Sequence, residues 1–164
     1  MKTANKSIIA WIIAIIVVAG IGIIIYKNNY NIDSTSYLSS KNDSGKSFDI
    51  NENYKIITNS ESFDFTKFNG KWSLIEFNSS KNNKITIEDN TKITKGKFYI
   101  IVLDSNYNIV VKKNESIDKG NINFTTPKDG KYIIRIAGEN TNGTFNIKID
   151  SANKIDISHK DFFS

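Results

Sequence analysis

The sequence predicts an all-β domain, an antiparallel β-sandwich or jelly roll of about eight strands, behind a single N-terminal transmembrane helix. Three observations carry this prediction. Ser7–Tyr26 is an unbroken apolar run, apolar and polar residues alternate from Tyr54 onward, and clusters of Gly, Asn, Asp and Pro separate the alternating segments.

The apolar run reads SIIAWIIAIIVVAGIGIIIY and holds no charge and no proline, with Lys6 and Lys27 just outside it. About 20 such residues in a helix rise roughly 30 Å, the thickness of a bilayer's hydrocarbon core. Val18-Ala19-Gly20 offers small residues where a signal peptidase could cut, but the run continues to Tyr26. The apolar region of a signal peptide is normally shorter, so an uncleaved anchor is the preferred reading. No cysteine follows the run, which excludes lipoprotein processing. Lys2, Lys6 and the α-amino group precede it, whereas Lys27 stands alone behind it until Lys41. The positive-inside rule then puts residues 1–6 in the cytoplasm and the rest of the chain outside the cell membrane.

Residues 27–53 read as a flexible linker, because Asn, Ser, Asp and Lys dominate and apolar residues keep no period. A flexible segment of that length would hold a domain roughly 30 Å from the lipid. The sandwich is expected over 54–150, with residues 151–164 as a C-terminal tail.

The strands follow in order. Ser62–Phe65, Lys71–Asn78, Lys84–Glu88, Lys97–Leu103, Ile109–Lys112, Gly120–Thr125, Lys131–Ala137 and Thr144–Asp150 are the candidates. Thr144–Asp150 alternates cleanly, with Phe145, Ile147 and Ile149 opposed to Asn146 and Lys148, so one face meets a core and the other meets water. Asp104–Asn108 links two strands as a hairpin, and Pro127–Gly130 is a strong turn. Gly138–Gly143 is expected to turn a second hairpin. Tyr132, Ile134, Ile136, Phe145, Ile147 and Ile149 should then be buried together on neighbouring antiparallel strands.

Three strands are apolar on both faces: Lys71–Asn78, Lys97–Leu103 and Lys131–Ala137. Their second face is either covered by a loop or by the tail Lys154–Ser164, or left open as an aromatic patch that binds a ligand. Covered faces are commoner, so the first is preferred. If the face is open, Trp72, Tyr99 and Tyr107 are the candidate ligand-binding residues, since their flat apolar rings with a polar edge suit sugars and partner side chains alike.

Composition excludes several functions. The chain is formally +5, but residues 1–27 hold three of the 22 cationic residues and none of the 17 acidic ones, leaving +2 for the remainder. Nucleic-acid binding needs a concentrated basic face, and Arg135 is the only arginine. With no cysteine there is no disulfide, thiol nucleophile or zinc–thiolate site. His159, the only histidine, reads as a solvated residue of the tail. No G-x-S-x-G or S-x-x-K pattern occurs. Glu76 and Asp64 are acids within apolar strands, and such a pair could hydrolyse glycosides if it flanked a groove. Asp104, Asn106, Asn108 and Glu115 match part of a calcium loop, but Ile109 stands where that loop needs glycine and strands flank it instead of helices. No catalytic residue, metal site or cofactor is expected.

Asp129–Asp150, DGKYIIRIAGENTNGTFNIKID, resembles the closing strands of bacterial pre-peptidase C-terminal-type domains, with a G-x-Y-x-I-x-I strand, a glycine-containing turn and a G-x-F-x-I-x-I strand. Lys95–Lys113 is similar to their middle hairpin, and the chain also looks like small exported Gram-positive proteins. The resemblance implies an extracellular jelly roll used for binding or as an accessory to an enzyme, and no catalytic residues.

The expected function is therefore a membrane-anchored extracellular binding or accessory module, non-catalytic, for cell-wall glycan or a surface partner. The alternatives are a structural or assembly subunit of an envelope complex and, more remotely, a small carboxylate-dependent hydrolase.

Overall fold

The computed structural model describes residues 31–43 and 45–160. The expected cytoplasmic residues 1–6 and membrane span 7–26 lie outside the described residues. Among the described residues, no helix is long and apolar enough to cross a membrane.

The chain folds as an antiparallel β-sandwich built from one eight-stranded sheet that doubles over its own core. A five-residue helix, α1 (Thr35–Ser39), comes first. The strands are β1 (Ile50–Ile57), β2 (Ser60–Ser79), β3 (Lys84–Asp89), β4 (Lys92–Asp104), β5 (Ile109–Asn114), β6 (Ile122–Thr125), β7 (Gly130–Ser151) and β8 (Asp156–His159).

Two very long strands organise the fold. β2 and β7 pair from Ser60↔Lys148 to Ser79↔Gly130. The outer edge of β2 receives β1 along its first half and β8 along its second. The outer edge of β7 receives β4 along its first two-thirds and β3 along its end. β6 then pairs with β3, and β5 with β4. The β2–β7 ribbon thus passes from one layer into the other.

The layers meet at a corner where three strands break register together. β2 shifts against β7 between Phe65 and Gly70, and β4 shifts against β7 between Ile93 and Lys97. Lys67, Asn140 and Gly96 have φ of +51°, +49° and +82° there. Such bulges bend a strand and raise its twist. A Cβ on Gly96 would lie 2.5 Å from the Asn140 carbonyl oxygen, so glycine is needed for closeness as well as for φ.

This corner corrects two expectations. Ser62–Phe65 and Lys71–Asn78 are parts of one strand, β2. Lys131–Ala137 and Thr144–Asp150 are likewise one strand, β7, and Gly138–Gly143 bends the chain instead of reversing it. Of these residues only Asn140 takes a positive φ, and it serves a bulge instead of a chain reversal. The six residues expected to be buried together are all in the main core, though on a single strand. Phe63, Phe65, Phe68 and Phe98 from β2 and β4 complete an aromatic centre, with Phe65 and Phe98 stacked at 5.2 Å between centroids.

Candidate binding surface

The second face of the sheet is apolar, as the sequence indicates, and it is covered. Tyr99, Ile101, Leu103, Ile133 and Ala137 form a second buried cluster with Ile32, Tyr37 and Leu38. The cover is not the C-terminal tail. It comes from residues 31–43, within the segment expected to be a flexible linker. The burial of Leu38, with no exposed surface at all, offsets the ordering entropy of this strap.

Two buried cations clamp the strap. Arg135 and Lys71 both have fully buried side chains in the second face. Arg135 donates from Nη1 to the Leu38 and Ser40 carbonyl oxygens at 2.6 and 2.8 Å, and from Nε to Ser73 Oγ at 3.1 Å. Its Nη2 faces Asp43 at 3.3 Å. Lys71 Nζ donates to the Tyr37 carbonyl oxygen at 2.5 Å and to Ser40 Oγ. These carbonyls lie at the end of a short helix, where few backbone N–H groups are available; the Tyr37 carbonyl accepts a long bond from the Ser40 N–H at 3.4 Å besides the one from Lys71. Burial lowers the pKa of Lys71 to about 8, helped by the charge of Arg135 and only partly opposed by Asp43. Burial also lowers that of Arg135.

At the strap's other end Asp33 accepts from Tyr99 Oη at 2.5 Å and from Lys97 Nζ at 2.6 Å. Those bonds hold the Asp33 carboxyl below its usual range. Burial, then Asp33, pushes the Tyr99 phenol up to about 12.

The structure therefore separates Trp72 from the other two candidate ligand-binding aromatics. Tyr99 is buried beneath the strap. Tyr107, in the 104–108 hairpin turn, is half-buried against the same cluster, with the Arg135 guanidinium 5.4 Å from its ring. Trp72 packs on the main core instead, with Lys46 Nζ 3.7 Å above its ring. They do not form one open aromatic surface.

The candidate acids are also held apart by separate partners. Glu76 pairs with Lys131 at 3.0 Å and Lys160 at 2.6 Å. Asp64 accepts from Thr144 Oγ1 at 2.6 Å and Asn53 Nδ2 at 2.7 Å, which lowers its pKa. They lie on opposite sides of the β2 bulge. In the 104–108 turn Asp104 accepts from the Asn106 and Asn108 backbone and pairs with Lys128 at 2.8 Å. Desolvation opposes these bonds, but they hold Asp104 at about 2. Among the described residues no cluster of three or more His, Cys, Asp or Glu could hold a metal ion.

His159 is not a solvated tail residue. It closes β8, and its Nδ1 lies 2.9 Å from Oε2 of Glu61, a fully buried carboxyl that burial pushes up against the pull of His159. Apolar Ile155 and Ile157 pack β8 onto the core, which the alternation I-x-I in the tail could have signalled.

The exposed apolar surface lies elsewhere. Ile56 and Ile57 at the end of β1 are 45% and 65% exposed, and Ile117, alone in the turn after β5, is 73% exposed. β1 pairs with β2 on one side, and no described strand pairs with its other edge. A cleft of about 390 Å³ opens at the corner, lined by Ile32, Tyr37, Gly45, Ser47, Gly70 and Glu139 among others, without convergent titratable groups.

No family model matches the chain, and no curated protein matches it. A solved structure of accessory secretory protein 1, 2 and 3 from Streptococcus pneumoniae is similar over 62% of this chain and 80% of its own, at 12% identity and a TM-score of 0.32. A likeness that distant assigns neither family nor role. Fold and surface define a small β-sandwich with one strapped face; among the described strands β1, β5, β6 and β8 each pair on one side only, and β1 is the one that carries exposed isoleucines at its end.

Proposed function

We propose that the chain is a membrane-anchored accessory module, non-catalytic, displayed outside the cell, which docks an envelope protein along the free edge of β1. The observation that carries this reading is the pair Ile56–Ile57, exposed at the end of an edge strand. Unpaired backbone groups on such an edge accept an added strand, and neighbouring apolar side chains give the contact its affinity. The aromatic surface that glycan recognition calls for is divided between a strapped face and the core, which favours a protein partner over cell-wall glycan.

The anchor in this reading is the uncharged run Ser7–Tyr26. Ile32 already packs on the domain, so no more than residues 27–31 stand between the proposed span and the domain. The module is then held at the membrane surface, close to other integral proteins, instead of on a long spacer. The resemblance to pre-peptidase C-terminal-type domains agrees with an accessory role.

A photoreactive amino acid at position 57 tests this in living cells, with position 146 on the solvent face of β7 as control. The reading expects a discrete protein adduct from position 57 and none from 146. No adduct from either, together with retention of the purified chain on peptidoglycan, would move the assignment to glycan.

A further inference from the structure

The core-facing positions at the end of β5 read Val111, Lys113, Glu115, placing a lysine and a glutamate where apolar side chains stand elsewhere. Lys113 lies opposite Ile100, a residue of the main core, and the Glu115 backbone continues the ladder by donating to the Phe98 carbonyl at 2.8 Å. Asp89 arrives from the end of β3, in the other layer. Side-chain exposures are 10% for Lys113, 0% for Asp89 and 3% for Glu115.

Lys113 Nζ touches Asp89 Oδ2 and donates to Glu115 Oε2 at 3.1 Å. Asp89 Oδ1 is held by the Thr91 backbone N–H at 2.9 Å, which fixes the carboxyl plane. Glu115 Oε1 is buried and accepts no hydrogen bond from any described residue. That oxygen is suited to carry a proton. Burial, reinforced by the neighbouring Asp89 charge, raises the Glu115 pKa to about 8, so the group is protonated at neutral pH and shares its proton with Asp89.

A buried ammonium, a buried carboxylate and a neutral acid in mutual contact are a reactive set as well as an ionic one. We propose that Asp89 and Lys113 condense to an intramolecular amide, with Glu115 as the catalytic acid–base. Glu115 passes its proton to Asp89 and takes one from Lys113, which turns the ion pair into a neutral amine and a neutral acid. Burial by itself favours the neutral pair, but the bonds among the three groups hold Lys113 charged and Asp89 ionised, so the neutral pair is a minor state through which the reaction passes. The Lys113 Nζ lone pair then attacks Asp89 Cγ, forming the C–N bond and a tetrahedral centre. Glu115 protonates the departing hydroxyl, the C–O bond breaks and one water leaves. The nitrogen returns its extra proton to Glu115. Amine plus acid becomes amide plus water, with no oxidant and no net change at Glu115. Contact between the Lys113 nitrogen and the Asp89 carboxyl group supplies the proximity that such a condensation needs.

The bond would close a loop between residues 24 apart and tie β5 of one layer to β3 of the other. The chain has no cysteine, so a disulfide cannot supply a covalent tie. An amide resists reduction, which suits an exported domain.

Peptide mass spectrometry of the full chain, extracted in detergent and sampled fresh and after incubation at neutral pH, tests the proposal. The expected result is one peptide species joining the Asp89 and Lys113 segments, lighter by one water than their sum. Lys113→Arg and Asp89→Ala should give separate peptides. Glu115→Gln should keep the wild-type circular dichroism spectrum and also give separate peptides. A folded wild type with only separate peptides at all times overturns the cross-link. A joined species in folded Glu115→Gln at the wild-type rate overturns the role of Glu115.

Discussion

Leu38→Ala isolates the strap from the rest of the fold. Leu38 is completely buried among Tyr99, Ile101, Leu103 and Ile133 on the second face, and its backbone carbonyl receives Arg135. Removing a buried leucine side chain costs about 2–5 kcal/mol, the lost transfer energy plus the cavity. α1 has five residues and cannot hold itself together, since isolated helices need about 12–15 residues. The loss should therefore appear first as detachment of the strap. Two assays on the detergent-solubilised chain read it: the rate of protease cleavage within residues 31–49, and urea unfolding followed by tryptophan fluorescence. Cleavage should accelerate at least tenfold, since about 1.4 kcal/mol of easier opening is a factor of ten. The unfolding midpoint should fall as well. If the segment were a free linker, the change would be a surface substitution worth less than about 0.5 kcal/mol. An unchanged cleavage rate together with an unchanged midpoint refutes the strap.

Three further outcomes follow from the same packing. Phe145→Ala in the aromatic centre should cost about 3–5 kcal/mol, measured as a lower urea midpoint; an unchanged midpoint contradicts its burial. Lys71 is depressed from 10.5 to about 8 in the folded chain, so the unfolded state binds more protons between those values and stability should rise with pH from about 8 towards 10.5; Lys71→Met should remove that rise. Asp104 is lowered from 3.8 to about 2, so the stability it contributes is present above 3.8 and lost as pH falls towards about 2. Asp104→Asn should cost about 1–3 kcal/mol at neutral pH and nothing near pH 2, and a pH-independent difference would contradict the Lys128 and backbone bonds.

Strand positions were legible because period two is a local signal. Phe145, Ile147 and Ile149 alternate with polar residues in the sequence and do so in the sheet. Strand ends were less so. Gly138–Gly143 carries turn residues, and whether a positive φ at Asn140 reverses a strand or bends it depends on where β2 and β4 lie, which is not local information. The strap was illegible for a related reason. Tyr37 and Leu38 are two apolar residues in a polar stretch, and only the sheet's second face gives them a place. Arg135 and Lys71 carried a signal that was available: charges at positions apolar neighbours mark as buried need partners, and carbonyls from a nearby segment are the usual ones. The Lys113–Glu115 pair gave the same kind of signal, whereas its meeting with Asp89 depends on how the two layers close.

The proposed module stands outside the membrane with β1 engaged by a partner. The absence of native cysteine makes single-cysteine labelling with a membrane-impermeant maleimide in intact, wall-stripped cells the most direct test. Ser105→Cys, on an exposed turn, should label readily, whereas Ile57→Cys should label slowly in cells and at the Ser105→Cys rate once the chain is purified in detergent. No labelling of Ser105→Cys in intact cells would place the domain inside, and equal labelling of both positions in cells would leave β1 without its partner.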